Sequence, residues 1–229
     1  MDREILVEAR ALTRVADGGA HVLLQPVNFA LRRGDHVAIT GSSGSGKSVF
    51  LRTLALLDGA TCGDILWQGK PIADAQVPRY RSRICYLSQK PVLLEGTVED
   101  NLRFPYTLKA SRHLQFSIDK VRALLDRAGK GSGFLTKAAG DLSGGEAQVV
   151  SLIRTLQLDP DVLLLDEPTA ALDPVSAREI EALIQAWFEA DAAQERAFIW
   201  VSHDLQQARR MAGSHWTMDA GVLTGPESQ

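Results

Sequence analysis

The chain has 229 residues, 45% hydrophobic and 23% charged, the composition of one large globular domain, or a domain with a small insert, that buries a sizeable core. Its net charge of −3 leaves no basic footprint for nucleic acid, so no nucleic-acid partner is expected. The two cysteines, Cys62 and Cys85, form neither a CxxC pair nor a metal pattern, and read as free thiols of a reducing compartment. The N-terminal stretch MDREILVEAR has no basic region followed by an apolar run, so it does not read as a signal peptide. No apolar run approaches the roughly 20 residues that cross a bilayer. The chain reads as soluble alone, with any spanning part supplied by another chain.

Residues 4–12 (EILVEARAL) predict an early strand, 16–21 a turn cluster, and 22–35 a second strand region ending in a turn. HVAIT (36–40) is a short β-branched run that leads into glycines. From Lys47 the pattern changes: Val49, Phe50, Leu51, Leu54, Ala55 and Leu57 recur at helical spacing. Residues 63–72 have strand–turn–strand character, and 84–91 read as a buried strand reaching a polar loop. Residues 98 to about 139 predict mostly helix, with Leu102, Ile118, Val121, Leu124 and Leu125 as apolar positions. An apolar strand over 162–169 ends in carboxylates; an amphipathic helix (176–190) and another buried strand (197–204) follow. Buried strands alternating with helices predict an α/β fold with a mainly parallel sheet.

Three stretches carry chemistry. Gly41, Ser42, Ser43, Gly44, Ser45, Gly46, Lys47 and Ser48 fit G-x-x-x-x-G-K-[ST] between a strand and a helix. Glycines let backbone N–H groups approach phosphate oxygens, and the helix points its positive end, roughly half a charge, at the same anion. Lys47 can reach the outer phosphates, and the Ser48 hydroxyl can bind Mg²⁺. Kinases, GTPases and motor ATPases all use such a loop. In VLLLDE, Asp166 closes an apolar strand, where it can hold Mg²⁺, and Glu167 follows, where it can polarise an attacking water. In DLSGGEAQ (141–148), Ser143, Gly144 and Gly145 form a second small-residue turn before a helical stretch. One nucleotide does not need two cradles from one chain. Two copies facing head to tail do use both.

These motifs resemble the ATP-binding subunits of ABC transporters over nearly the whole chain. GSSGSGKS is similar to Walker A, VLLLDE to Walker B and LSGGE to the family signature. Gln89 in YLSQKP is similar to the Q-loop glutamine, AALD (170–173) to the D-loop and His203 in VSHD to the switch histidine. The resemblance implies a P-loop ABC-ATPase fold, a mainly parallel core with an antiparallel β subdomain. The core would span about 1–91 and 151–229, and a helical subdomain about 92–150. It implies ATP and Mg²⁺ as cofactors, with nucleotide held by residues 41–49 including Val49, and by Gln89, Ser143, Gly144 and Gly145. Ser48, Gln89 and Asp166 would serve the metal, and Glu167, His203 and Lys47 catalysis. Asp173 would reach across a homodimer that closes on ATP. Residues 90–110 would face an integral membrane permease, at the cytoplasmic face of the cell membrane.

The chain departs from the family pattern in places. Glu146 ends the signature where glutamine is commoner, Val149 stands where arginine is usual, and Val49 replaces threonine. An extra carboxylate near phosphates is unfavourable unless it points away or meets a cation. The turn LTRVADGGAH lacks the aromatic residue on which adenine usually stacks; Arg14 and Val15 stand nearby. The texture of 94–106 and of SLIRTLQLDPDVLLLDEPTAALD is similar to the bacterial iron-export ATPase subgroup (FetA or YbbL type). DNA-repair and translation ATPases of the same superfamily are the alternative. The former need long coiled coils or zinc modules, and the latter two nucleotide domains in one chain. A small-molecule kinase leaves LSGGE unexplained.

Overall fold

The computed structural model describes residues 3–19, 21–190 and 195–226. In chain order the strands and helices are β1 (Ile5–Val15), β2 (Val22–Arg32), β3 (His36–Thr40), α1 (Lys47–Leu54), β4 (Cys62–Trp67), β5 (Lys70–Pro71), α2 (Val77–Arg83), β6 (Ile84–Leu87), α3 (Val98–Arg103), α4 (Ile118–Arg127), α5 (Gly144–Leu156), β7 (Val162–Asp166), α6 (Pro174–Glu189), β8 (Ala197–Val201), α7 (Leu205–Met211), β9 (Ser214–Asp219) and β10 (Val222–Thr224). They divide into two compact units.

The first unit holds residues 1–86, 161–167 and 193–229. Its larger sheet has the order β10-β9-β3-β8-β7-β6, with β9, β3, β8 and β7 parallel and β10 returning antiparallel on β9. Strands β7 and β8 are buried at every residue, which is why they read as unbroken apolar runs rather than alternating ones. The smaller sheet, β2-β1-β4-β5, is antiparallel throughout. Pro26, lacking an N–H, is accommodated because β2 is an edge strand of that sheet. Leu6, Leu24, Phe29 and Leu31 from the small sheet, Ile39, Leu164 and Ile199 from the large one, and Phe50 and Leu51 of α1 join one apolar core. That core fixes α1 behind the loop that precedes it.

The second unit holds residues 87–160 and 168–192. Its centre is α5, which is buried at eight of thirteen positions and packs on α3, α4 and α6. Val149, where the family pattern has arginine, is one of these buried positions. At the C-terminal end of α5, Arg154 Nη2 donates to the loop carbonyl Val92 O at 2.8 Å, and the C-cap Gln157 donates through Nε2 to Leu102 O of α3 at 2.6 Å.

Two sequence expectations change. The helical unit is not confined to about 92–150, because α6 packs on α4 and α5 and belongs with them. Residues 98 to about 139 are less helical than their apolar spacing suggested. Helix α3 gives way to 3₁₀ turns around Pro105, and α4 ends before Gly129, Gly131 and Gly133. Proline removes a helical donor and glycine is costly in a helix. Helices α2 and α7 were not anticipated; at seven residues each they are too short to display a period.

Candidate functional site

The loop between β3 and α1 is built by its glycines. Gly41 and Gly46 have φ of +152° and +108°. A Cβ on Gly41 would lie 2.1 Å from Met218 O, and one on Gly46 2.9 Å from Leu23 O. Gly46 is the N-cap of α1, so no side chain caps that helix, and its first turn carries no acidic residue. The amides that a serine or aspartate would otherwise satisfy therefore face an anion-binding position. The Lys47 ammonium, only 4% exposed, donates to Gly41 O and Ser42 O at 2.8 Å each. Ser45 Oγ is buried and has no hydrogen-bond partner among the described residues. A bare helix end, a held ammonium and an orphan hydroxyl in one loop fit a phosphate chain.

Strand β7 delivers two carboxylates to the same place. Asp166 is 4% exposed. Its Oδ1 accepts from Ser48 Oγ at 2.9 Å, and its Oδ2 from the Tyr86 hydroxyl at 2.8 Å. Burial, and then the bond to Asp166, pushes the Tyr86 phenol up, so it stays a donor. Glu167 turns the chain with φ +45°, a strained conformation of the kind that gathers at functional sites, and its N–H donates to Val201 O at 3.1 Å. Its carboxylate lies between two cationic candidates: Oε1 is 4.0 Å from Lys47 Nζ and Oε2 3.4 Å from His203 Nδ1. His203 is 64% exposed at its side chain. The Ser48–Asp166 pair fits Mg²⁺, a hard cation that takes one or two carboxylates and otherwise keeps water and substrate phosphates. Among the described residues no cluster of three or more His, Cys, Asp or Glu forms an all-protein cage.

The first unit thus brings together Lys47, Ser48, Asp166, Glu167 and His203. Residues 41–46 and Val49 belong to the same unit, whereas Gln89, Ser143, Gly144, Gly145 and Asp173 lie in the second. Gln89 is exposed in the bend after β6. Ser143 caps α5: its Oγ accepts from Glu146 N at 3.2 Å, and Glu146 Oε2 accepts from Ser143 N at 3.0 Å, a capping box. Glu146 Oε1 accepts from Lys137 Nζ at 2.7 Å. The lysine, then Ser143, hold this carboxyl below its usual range. The unusual carboxylate therefore does meet a cation. Asp173 caps α6, accepting from Val175 N and Ser176 N at 2.9 and 3.1 Å and from Ser176 Oγ at 2.6 Å. Beside the turn that lacks an aromatic residue, Arg14 donates to Gly59 O at 2.8 Å and pairs with Asp17.

Sequence reasoning missed Tyr86 and Lys137. Tyr86 carries the one hydroxyl among the four residues of β6, next to β7 in the sheet. Lys137 is nine residues before Glu146, beyond any helical spacing.

A family profile described as ABC transporter matches residues 24–170. ABC transporter I family member 17 of Arabidopsis thaliana is 38% identical over 208 residues, covering 90% of this chain and 76% of the relative. Probable iron export ATP-binding protein FetA of Escherichia coli is 39% identical over 182 residues, covering 80% and 78%. Among solved structures, cbiO1 of Clostridium perfringens, part of the ABC transporter complex cbiONQ, superposes with a TM-score of 0.79 at 25% identity, over 98% of this chain and 90% of that one.

Proposed function

The chain belongs to the ABC transporter family of ATPases, and we propose that it hydrolyses ATP with Glu167 as general base to drive a membrane permease partner. The carrying observation is the placement of the Glu167 carboxylate beside both Lys47 and His203, on the strand end that presents Asp166 to Ser48. Phosphates are held by the amides of 41–49 and by Lys47. Ser48, Asp166 and Gln89 serve magnesium, which supplies positive charge to the phosphate oxygens. Glu167 takes a proton from a water whose oxygen attacks the γ-phosphorus as the bond to the β-phosphate oxygen breaks, giving ADP and phosphate. His203 helps hold that water. Such a site works mainly by positioning and charge. Ser143, Gly144 and Gly145 close on the γ-phosphate of a second copy, and Asp173 reaches across the same dimer.

No described helix is long and apolar enough to cross a membrane, which accords with a separate permease, with the ATPase at its cytoplasmic face. The likeness to FetA supports metal export, iron first, as the permease's task. Co-expression with candidate permeases and metal-stimulated turnover in a bilayer tests that cargo. Glu167→Gln tests the base: turnover falls roughly 10²–10⁴-fold, ATP binding persists, and an ATP-dependent dimer accumulates on size exclusion. Unchanged turnover removes Glu167 from the role.

A further inference from the structure

We propose that Tyr86 is a positioning residue for the metal-binding carboxylate, and that its hydroxyl sets how strongly Mg²⁺ tightens nucleotide binding. The inference rests on the assignment of Ser48 and Asp166 to the metal. Asp166 is buried, and its two oxygens have different tasks. Oδ1 faces Ser48 Oγ at 2.9 Å and Oδ2 is occupied by Tyr86 at 2.8 Å. Tying one oxygen in this way restrains rotation of the carboxylate and leaves the other as a single ligand beside the serine. Removing the donor leaves a buried anionic oxygen unpaired and frees the plane of the group.

The phenol is itself fixed. It comes from β6, which neighbours β7 in the sheet, so the two strands set the approach of ring and carboxylate. Tyr86 also feels the Arg52 guanidinium electrostatically. Arg52 stands one helical turn after Ser48 on α1 and is held by two 2.8 Å bonds to Asp58. Residues four apart share a helix face. Ser48 and Arg52 therefore share a face of α1; Ser48 reaches Asp166 from it, and Asp58 holds Arg52 in place. Neutral Tyr86 orients the carboxylate without removing its charge, which a lysine in that place would do. Groups that orient metal ligands typically contribute 10–100-fold to metal affinity.

The test compares full-length wild type, Tyr86→Phe and Asp166→Asn, reading the affinity of a fluorescent non-hydrolysable ATP analogue with EDTA and with saturating Mg²⁺. Wild type binds more tightly with Mg²⁺. Tyr86→Phe keeps the affinity in EDTA but loses about ten-fold or more of the gain, and Asp166→Asn loses most of it. A Tyr86→Phe protein with the full Mg²⁺ gain, beside an Asp166→Asn protein without it, overturns the role of Tyr86 and leaves the metal assignment standing. Equal weakening in EDTA and Mg²⁺ also overturns it, because the tyrosine is then only structural. A full gain in Asp166→Asn removes the metal assignment and the inference with it. Phenylalanine preserves the ring packing, and a melting curve matching wild type confirms the fold.

Discussion

Two helix N-termini in this chain follow serine- and glycine-rich turns, and they are finished in opposite ways. Helix α1 starts at Gly46 with no side-chain cap and no acid in its first turn. Helix α5 starts at Ser143 with a reciprocal cap to Glu146, and that glutamate is neutralised by Lys137. The first end leaves its amides without a capping side chain. The second spends part of its dipole on its own side chains. A helix end carries roughly +0.5 of a charge, so an unopposed Glu146 would reverse the sign at the LSGGE turn. Lys137 restores it. Its backbone is pinned, with Val98 N donating to Lys137 O at 3.0 Å and Ala139 N to Gly96 O at 2.8 Å. Lys130, which lines a groove of about 410 Å³ together with Lys137 and Glu146, is paired with Glu179 instead. The contrast is between a terminus with no capping side chain and one whose capping carboxylate is balanced by a lysine.

The largest effect that could break this contrast is at Lys47. Lys47→Ala removes the ammonium above the bare end of α1, and ATP turnover falls roughly 10²–10³-fold, as for loss of one preorganised charge. Steady-state phosphate release measures it, and wild-type turnover would show that the loop is not the phosphate cradle. A smaller effect sharpens the α5 side. Lys137→Met leaves Glu146 uncompensated and lowers turnover about three- to ten-fold, an interaction between charges several ångströms apart at partial screening. In the E146Q background the same change costs less than about two-fold. Lys137 is 45% exposed at its side chain, so the methionine folds. Equal losses in both backgrounds would mean that Lys137 acts through packing rather than charge.

How much of this was legible in the sequence depends on whether a feature is local. The loop 41–48 announces itself because strand, glycines, lysine and helix are contiguous, and Asp166–Glu167 because an apolar run must end somewhere. The strands β7 and β8 were plain for the same reason. What escaped notice was set by tertiary contact. Tyr86 and Asp166 are 80 residues apart and meet only because β6 and β7 are neighbours in the sheet. The apolar positions between 98 and 139 have helical spacing, but Pro105 and the glycines at 129, 131 and 133 interrupt it. Glu146 is electrostatically awkward in the sequence alone, because the lysine that compensates it comes from an irregular segment. The resemblance places α6 with the core, whereas its packing on α4 and α5 groups it with the second unit.

The smallest effect concerns acid. The caps of α3, α5 and α6 all involve carboxylates held below their usual range. Asp100 is lowered first by the Thr97 N–H, Glu146 first by Lys137, and Asp173 first by the Ser176 hydroxyl. Helix α1 has no such group. A carboxylate whose folded pKa is depressed contributes stability that is present above its unfolded value, near 4. That contribution is lost as pH falls through the folded value. Acid therefore loosens the caps of the second unit while leaving the end of α1 without a capping carboxylate to lose. Glu146→Gln retains a capping-box side chain but has nothing to titrate. Between about pH 5 and about pH 3 its melting temperature falls less than that of wild type, by about 1–3 °C, a figure kept small because the pair is partly solvent-screened. Calorimetry at several pH values reads the difference. Parallel melting curves would show that the charge of Glu146 contributes nothing to the cap, and the contrast between the two helix ends would then rest on Ser143 alone.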